Sequence, residues 1–343
     1  MAENAGRKGA SFSAILGHED AKKHLKAALA TQQLSHAYII EGAAGIGKSL
    51  LADAFVKALL CENRREDGDS CGICPSCRRF DHGSYPDVRY IAPAEGKASI
   101  SVKQIREDLV ADMNVRPYLG RYKVYILEKA DTLTPEAQNA MLKTIEEPPA
   151  YGLIFLLAES SASFLPTVVS RCVKIPLQLL SRDQIIEGLE VNGISGEKAK
   201  LVASSAQGSL GRALMLCQDE EFEALRQKLF GFLETIPNAS LLDIMRGTSI
   251  WEEYDHRQEL FFSLLLIWYR DVLLYQELGE AANILCTERK EGIHRSANYY
   301  QKETILNILD MVQDIDKRLK GGVSKALAID CLFMNLIQTE EVS

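Results

Sequence analysis

The 343-residue sequence contains no apolar run near the roughly 18 residues that a membrane-spanning helix requires. Its start, Met1 to Ala10, is polar and carries no signal-peptide core. A cytoplasmic protein without a membrane partner is therefore expected. It also lacks an excess of positive charge, because 39 Lys and Arg stand against 47 Asp and Glu, for a net charge of −8. That balance argues against a chain that grips nucleic acid over a broad basic face, although a local basic patch is compatible with it. There is no internal repeat and no long low-complexity segment, so neither a solenoid nor a disordered tract organises the chain. What remains is an ordinary globular composition, 47% apolar and 25% charged, at a length that suits two or three domains.

The strongest signal is Gly42-Ala43-Ala44-Gly45-Ile46-Gly47-Lys48-Ser49, with Leu50 following, which fits the phosphate-loop pattern G-x-x-x-x-G-K-[ST]. His36 to Ile40 before it reads as a buried strand, and Leu50 to Leu60 after it has helical spacing without Gly or Pro. The glycines let successive backbone N–H groups turn inward, and the helix N-terminus adds partial positive charge. Lys48 would reach the β- and γ-phosphates of ATP, and Ser49 would hold Mg²⁺.

Eight cysteines without a secretion signal read as metal ligands or buried thiols rather than disulfides. Cys61, Cys71, Cys74 and Cys77 have the spacing C-x9-C-x2-C-x2-C, which can close four thiolates on a structural Zn²⁺. A redox pair or plain surface thiols are the alternatives. Cys172, Cys217, Cys286 and Cys331 read as buried thiols.

Further along, apolar strands alternate with helices. Tyr85 to Pro93, Tyr122 to Leu127, Leu153 to Ala158 and Cys172 to Pro176 read as strands, and Ser101 to Asn114 and Thr134 to Glu146 as helices. Ala162 to Ser170 reads as a short helical turn. This is the pattern of a parallel α/β sheet wrapped by helices. After Pro176 the pattern becomes all-helical: Ser181 to Asn192, Gly196 to Gln207 and Ser209 to Gln218, then longer helices at Glu220 to Ile236, Trp251 to Leu278, Lys302 to Lys320 and Val323 to Thr339. The expected domains are 1–178, 179–218 and 219–343. The aromatic stripe from Trp251 to Tyr275 reads as core.

Two places bear on hydrolysis. The strand ending at Leu127 is followed by Glu128, where a Mg²⁺-holding carboxylate belongs, and then by Lys129, where a water-polarising carboxylate belongs. A cationic lysine cannot accept a proton from water, and general-base help is worth about 10²–10⁴-fold, so very weak hydrolysis is expected. Asp131 is the one substitute nearby, and it lies past the strand end. In Ser170-Arg171-Cys172, Arg171 reads either as a surface ion-pair residue or as an arginine finger for a neighbouring subunit's phosphates.

These residues, with Leu142-Lys143-Thr144-Ile145-Glu146-Glu147-Pro148-Pro149 and Gly208-Ser209-Leu210-Gly211-Arg212-Ala213, resemble the clamp-loader subunits of bacterial DNA polymerase III, within the AAA+ ATPases. The resemblance is strong to about residue 215 and weaker in the tail, where Gly322 to Leu332 looks like the family's final collar helix. It implies an AAA+ phosphate-loop module with a parallel sheet, a small helical lid and an all-helical collar. ATP-hydrolysing gamma/tau members carry an Asp-Glu pair where this chain has Glu128-Lys129. They carry a sensor arginine at the position of Gly211, with Arg212 one residue out of register. A first-sensor threonine is typical near Glu159-Ser160. The departures, beside an intact Ser170-Arg171-Cys172, resemble the delta-prime type. The resemblance implies Arg171 acting in trans and a hetero-pentamer with gamma/tau and delta subunits. That ring handles the sliding clamp and primer-template DNA at the bacterial nucleoid. The alternative reading is an ATP-hydrolysing gamma/tau-like subunit or another AAA+ ATPase.

Overall fold

The computed structural model describes residues 9–320 and 325–336. The chain divides into two compact units. One is built from residues up to 184 together with 208–212, the other from 185–207 and from 213 onward.

The first unit contains α1 (Glu19–Thr31), β1 (Ala37–Glu41), α2 (Lys48–Leu60), α3 (Pro75–Asp81), β2 (Val88–Ile91), α4 (Val102–Gln104), β3 (Lys123–Leu127), α5 (Pro135–Glu146), β4 (Gly152–Ala158), α6 (Pro166–Val169) and β5 (Val173–Pro176). The five strands form one sheet in the order β2-β3-β4-β1-β5, and every neighbouring pair is parallel. Strands β3 and β4 are buried along their whole length, which is why they read as continuous apolar runs. Side chains alternate across the sheet, so two cores form. Tyr38, Ile40, Ile126 and Phe155 face α1 and α2, while Ile39, Tyr125, Leu127 and Ile154 face α5.

The helix after the phosphate loop is anchored by aromatic packing. Tyr38 stacks on Phe155 at 5.1 Å between ring centroids, and Phe55 of α2 meets Phe155 edge-on at 5.5 Å. Burying a side chain such as Phe55 contributes about 1.5–3 kcal/mol, and Leu51, Ala52 and Val56 are buried beside it. The N-terminus of α2 is thereby held against the end of β1.

Between Ser101 and Asn114 the expected α-helix is modified. Ser101 caps the first turn in a capping box with Gln104, and residues Ile105–Ala111 then widen into a π-helical segment. Ile105, Leu109 and Met113 all remain buried despite the wider turn. The segment ends at Asp112, whose carboxylate accepts from the Tyr125 hydroxyl at 2.7 Å and pairs with Lys123 at 2.9 Å and Arg89 at 3.0 Å. Burial pushes the Asp112 carboxyl up, but the Tyr125 and Lys123 hydrogen bonds and the Arg89 charge outweigh it, so it lies below the usual value. A depressed carboxyl contributes stability above its unfolded pKa of about 3.9, and loses it as pH falls through the folded value. Asp112→Ala leaves Lys123, 5% exposed, with only the backbone carbonyls of residues 112 and 115. A loss of about 3 kcal/mol is expected in urea unfolding at pH 7, shrinking at acid pH. An unchanged midpoint would show that the carboxylate is dispensable.

From Arg182 on, the described residues are helical: α7 (Arg182–Val191), α8 (Gly196–Ser205), α9 (Leu210–Cys217), α10 (Glu220–Leu233), α11 (Leu241–Tyr254), α12 (Gln258–Leu278), α13 (Lys290–Tyr299), α14 (Lys302–Lys320) and α15 (Lys325–Leu336). Helix α12 is buried on nearly every side, with Phe261, Phe262, Trp268 and Tyr269 in the core of the second unit. The helix expected from Trp251 to Leu278 is in fact two, interrupted by a tight turn at Asp255–Arg257. Arg257 reaches Asp219 and Glu221 at 2.6 Å each, an interaction distant in sequence that pins the turn without Gly or Pro. Helix α13 was not foreseen. Nor was the start of α11, although Ser240 and Asp243 form a capping box there. Residues 321–324 and 337–343, which the collar-domain reading of 219–343 includes, lie outside the described residues, as do residues 1–8 of the polar start.

Candidate functional site

In a parallel sheet all strands end on one edge, and ligands bind where neighbouring connections diverge. Here that place is the end of β1, with β4 on one side and β5 on the other. The loop from Gly42 to Gly47 leaves β1 at this point. Gly42 N–H donates to Ala158 O at 3.2 Å, tying the loop to the end of β4. Gly45 and Gly47 have φ of 71° and 113°, which only glycine adopts without strain. Ala43, Ala44 and Gly45 are exposed, Ile46 is buried beneath them, and Ser49 and Leu50 are exposed on the first turn of α2. The Lys48 ammonium donates to Gly42 O at 2.6 Å and Ala43 O at 2.9 Å. Burial pulls its pKa down, and the carboxylates of Glu159 and Asp131 push the other way. Those two acids thus face the lysine electrostatically, from the ends of β4 and β3.

The loop has two neighbours that sequence spacing did not reveal. His18 places Nε2 3.0 Å from Ile46 O, and burial lowers its pKa. The segment Gly208–Arg212 lies directly on the loop, and Gly211 N–H donates to Gly45 O at 3.1 Å. A Cβ at position 211 would stand 2.6 Å from that carbonyl oxygen. No side chain fits there, which gives the missing arginine at 211 a steric basis in this chain.

Glu128 and Lys129 follow β3 at the same sheet edge. Lys129 adopts a left-handed conformation, φ 52° and ψ 45°, and turns the chain into the Ala130–Thr132 turn. Arg171 lies elsewhere. It precedes β5, and Val173 pairs with Tyr38 near the start of β1, so Arg171 is at the opposite edge of the sheet from the loop. Five residues of β1 separate those edges by roughly 16 Å. Arg171 is exposed and bonds Glu146 at 2.9 Å and Thr167 O at 2.9 Å. It has no approach to its own phosphate loop.

The four cysteines converge at the other end of α2. Cys61 follows its last turn, Cys71 and Cys74 lie in the next loop, and Cys77 is on α3. Their sulfurs all lie within 4.8 Å of one another, with Cys71 and Cys77 4.0 Å apart. A tetrahedral site with bonds of about 2.3 Å spaces its sulfurs roughly 3.8 Å apart, so the set can hold a metal ion. Backbone N–H groups of Cys71, Cys74 and Cys77 donate to the sulfurs of Cys61, Cys71 and Cys74 at 3.2–3.4 Å, a pattern that favours thiolates. Asp69, fully buried, secures the insert by accepting from Phe12 and Ser13 N–H groups at 3.2 and 3.0 Å. Of the remaining cysteines, all expected to be buried thiols, Cys286 is buried, but Cys172 and Cys217 are half-buried and Cys331 is exposed on α15.

A family model described as DNA polymerase III, delta subunit, matches residues 17–181. DNA polymerase III subunit delta' of Bacillus subtilis is 28% identical over 298 residues, spanning 85% of this chain and 88% of its own. Subunit delta' of Pseudomonas aeruginosa is 39% identical over 142 residues, 41% of this chain and 43% of its own. DNA polymerase III subunit tau of Escherichia coli is 34% identical over 213 residues, 60% of this chain. The chain spans only 32% of that tau subunit. The family model covers the stretch that carries the loop, the cysteines and Arg171, and the longer Bacillus match continues into the helices. Over most of its length the chain is similar to a delta' subunit of bacterial DNA polymerase III, and over 60% of it to a tau subunit as well.

Proposed function

We propose that this chain acts as a delta-prime-like subunit of a clamp loader, helping to place the sliding clamp on primed DNA during replication. It would assemble with gamma/tau and delta subunits as a hetero-pentamer in the bacterial cytoplasm. In this reading residues 1–178 form the AAA+ module, 179–218 the lid and 219–343 the oligomerising collar. The four cysteines hold structural Zn²⁺, since four protein ligands leave no open position for chemistry.

One pairing carries the reading: Lys129 stands at the hydrolytic strand end, while Arg171 is exposed on the far edge of the same sheet. The first disfavours hydrolysis at this chain's own loop. The second suits an arginine that stabilises charge on a neighbour's ATP. The residues from Gly42 to Leu50 would then bind nucleotide weakly or without turnover, with Ser49 and Glu128 as the Mg²⁺ candidates. A gamma/tau-like ATPase is the second reading, favoured by the complete phosphate loop and the tau likeness. Lys129 and the closed contact at Gly211 speak against it.

The assembly part is tested by mixing the chain with gamma/tau and delta subunits from the same source and sizing the product. One copy per hetero-pentamer, with clamp loading lost when the chain is omitted, is the expected result. Failure to co-elute with either subunit would sink the clamp-loader reading.

A further inference from the structure

At the C-terminal end of α2, beside the four-cysteine insert, the first unit has a groove of about 630 Å³. Leu29 and Leu59 supply apolar lining, and Arg64, Arg79 and Arg121 supply three cations. Its one carboxylate, Glu62, is already engaged by the Ser76 N–H at 3.2 Å and the Ser76 hydroxyl at 2.8 Å. Arg64 donates to the Leu29 and Ala58 carbonyls at 2.8 and 3.2 Å, which leaves its charge uncompensated. Neither Arg79 nor Arg121 forms an ion pair with any described residue, and both are exposed. A cationic groove thus stands out in a chain of net charge −8.

The wall that carries Arg121 is rigidly held. Asp87, 2% exposed, accepts from the backbone N–H groups of Tyr118, Leu119 and Gly120 at 2.6, 2.7 and 3.0 Å. Such charge-assisted bonds are about twice as strong as neutral ones. At Gly120 an added Cβ would stand 2.7 Å from the Tyr85 hydroxyl, so the wall is packed directly against Tyr85. This frame leaves Tyr118 84%, Val115 59% and Leu119 45% exposed. A buried carboxylate is committed to a loop that presents apolar side chains to water.

We propose that this groove docks an acidic segment of a partner protein that carries large apolar side chains. The arginine forks match carboxylates in geometry as well as charge, and the leucines and Tyr118 offer apolar anchorage beside them. The site is distinct from the phosphate loop, because the two lie at opposite ends of α2, about 20 Å apart along the helix. It does not rest on the clamp-loading assignment.

The test is fluorescence anisotropy on the full, zinc-loaded chain. The probe is a labelled ten-residue peptide of alternating glutamate and leucine with one phenylalanine, and the control has lysine for every glutamate. Saturable binding of the acidic probe alone is expected. Arg79→Glu with Arg121→Glu should weaken it at least about tenfold, and Leu119→Ser should weaken it with the charges untouched. Unchanged melting temperatures identify variants that still fold, and Arg121→Gln serves should the double variant not. Equal binding of both peptides would overturn the proposal, as would acidic binding indifferent to these substitutions. Preferential uptake of a single-stranded oligonucleotide, abolished by the arginine variants, would overturn the peptide as occupant.

Discussion

Arg171→Ala will slow the DNA- and clamp-stimulated ATPase of the reconstituted loader by about 10³–10⁵-fold at the site that Arg171 serves, while Lys48→Ala will barely change it. The physical basis is the register of the sheet. Val173 pairs with Tyr38, so Arg171 emerges at the edge of the sheet remote from its own Lys48. It cannot stabilise charge at that loop, and in the proposed role the phosphate it meets is a neighbouring subunit's. On its own surface the guanidinium is held by Glu146 and the Thr167 carbonyl, a surface ion pair worth little by itself. Breaking that pair is therefore cheap, and a stability change will not disguise the kinetic effect. If other sites turn over normally, the total rate falls only by the share of the silenced site, so single-turnover measurement is the decisive form. The opposite pattern, with Lys48→Ala damaging and Arg171→Ala silent, would make the chain a motor and the interpretation of Lys129 wrong.

Removing metal will lower the melting temperature by about 10 °C, and Cys77→Ser will do the same. Structural zinc sites in zinc-finger peptides release about 10–16 kcal/mol on binding, and a transfer of about 4 kcal/mol to the first unit suffices for that shift. Helix α3 is seven residues long, too short to persist alone, and its buried side chains include Cys77 itself beside Phe80. The insert's links to the rest include the Lys57–Asp81 ion pair at 2.6 Å, the Arg64 bonds to the Leu29 and Ala58 carbonyls, the contacts of Asp69 and the burial of Phe80 in the core. Scanning calorimetry with and without a chelator, alongside metal analysis expecting one zinc per chain, decides the matter. Metal-free protein with an unaltered melting temperature would rule out a structural metal.

The alternation of apolar strands with capped helices was legible from Ala37 to Pro176 because each signal there is local. Continuous apolar runs mark strands buried on both faces, and Thr134 with Pro135 marks the start of α5. The phosphate loop and the cysteine spacing were legible for the same reason, since neighbouring residues form each site. The tail was harder. The turn between α11 and α12 is held by Arg257 on Asp219 and Glu221, and no local residue announces it. The π-helical widening at Ile105–Ala111 preserves the same buried face as an α-helix, so periodicity could not reveal it.

Residue order alone was enough to establish an α/β phosphate-loop chain with a metal-capable cysteine insert, a lysine just past the third strand and a helical second half. These follow from spacing along one strand or helix. Folding alone decided which edge of the sheet each charge occupies, that position 211 has no room for a side chain, and that Asp87 holds a loop some thirty residues away against a cationic groove. Such facts depend on the separation in space of groups distant along the chain, and that separation is set by strand register and packing.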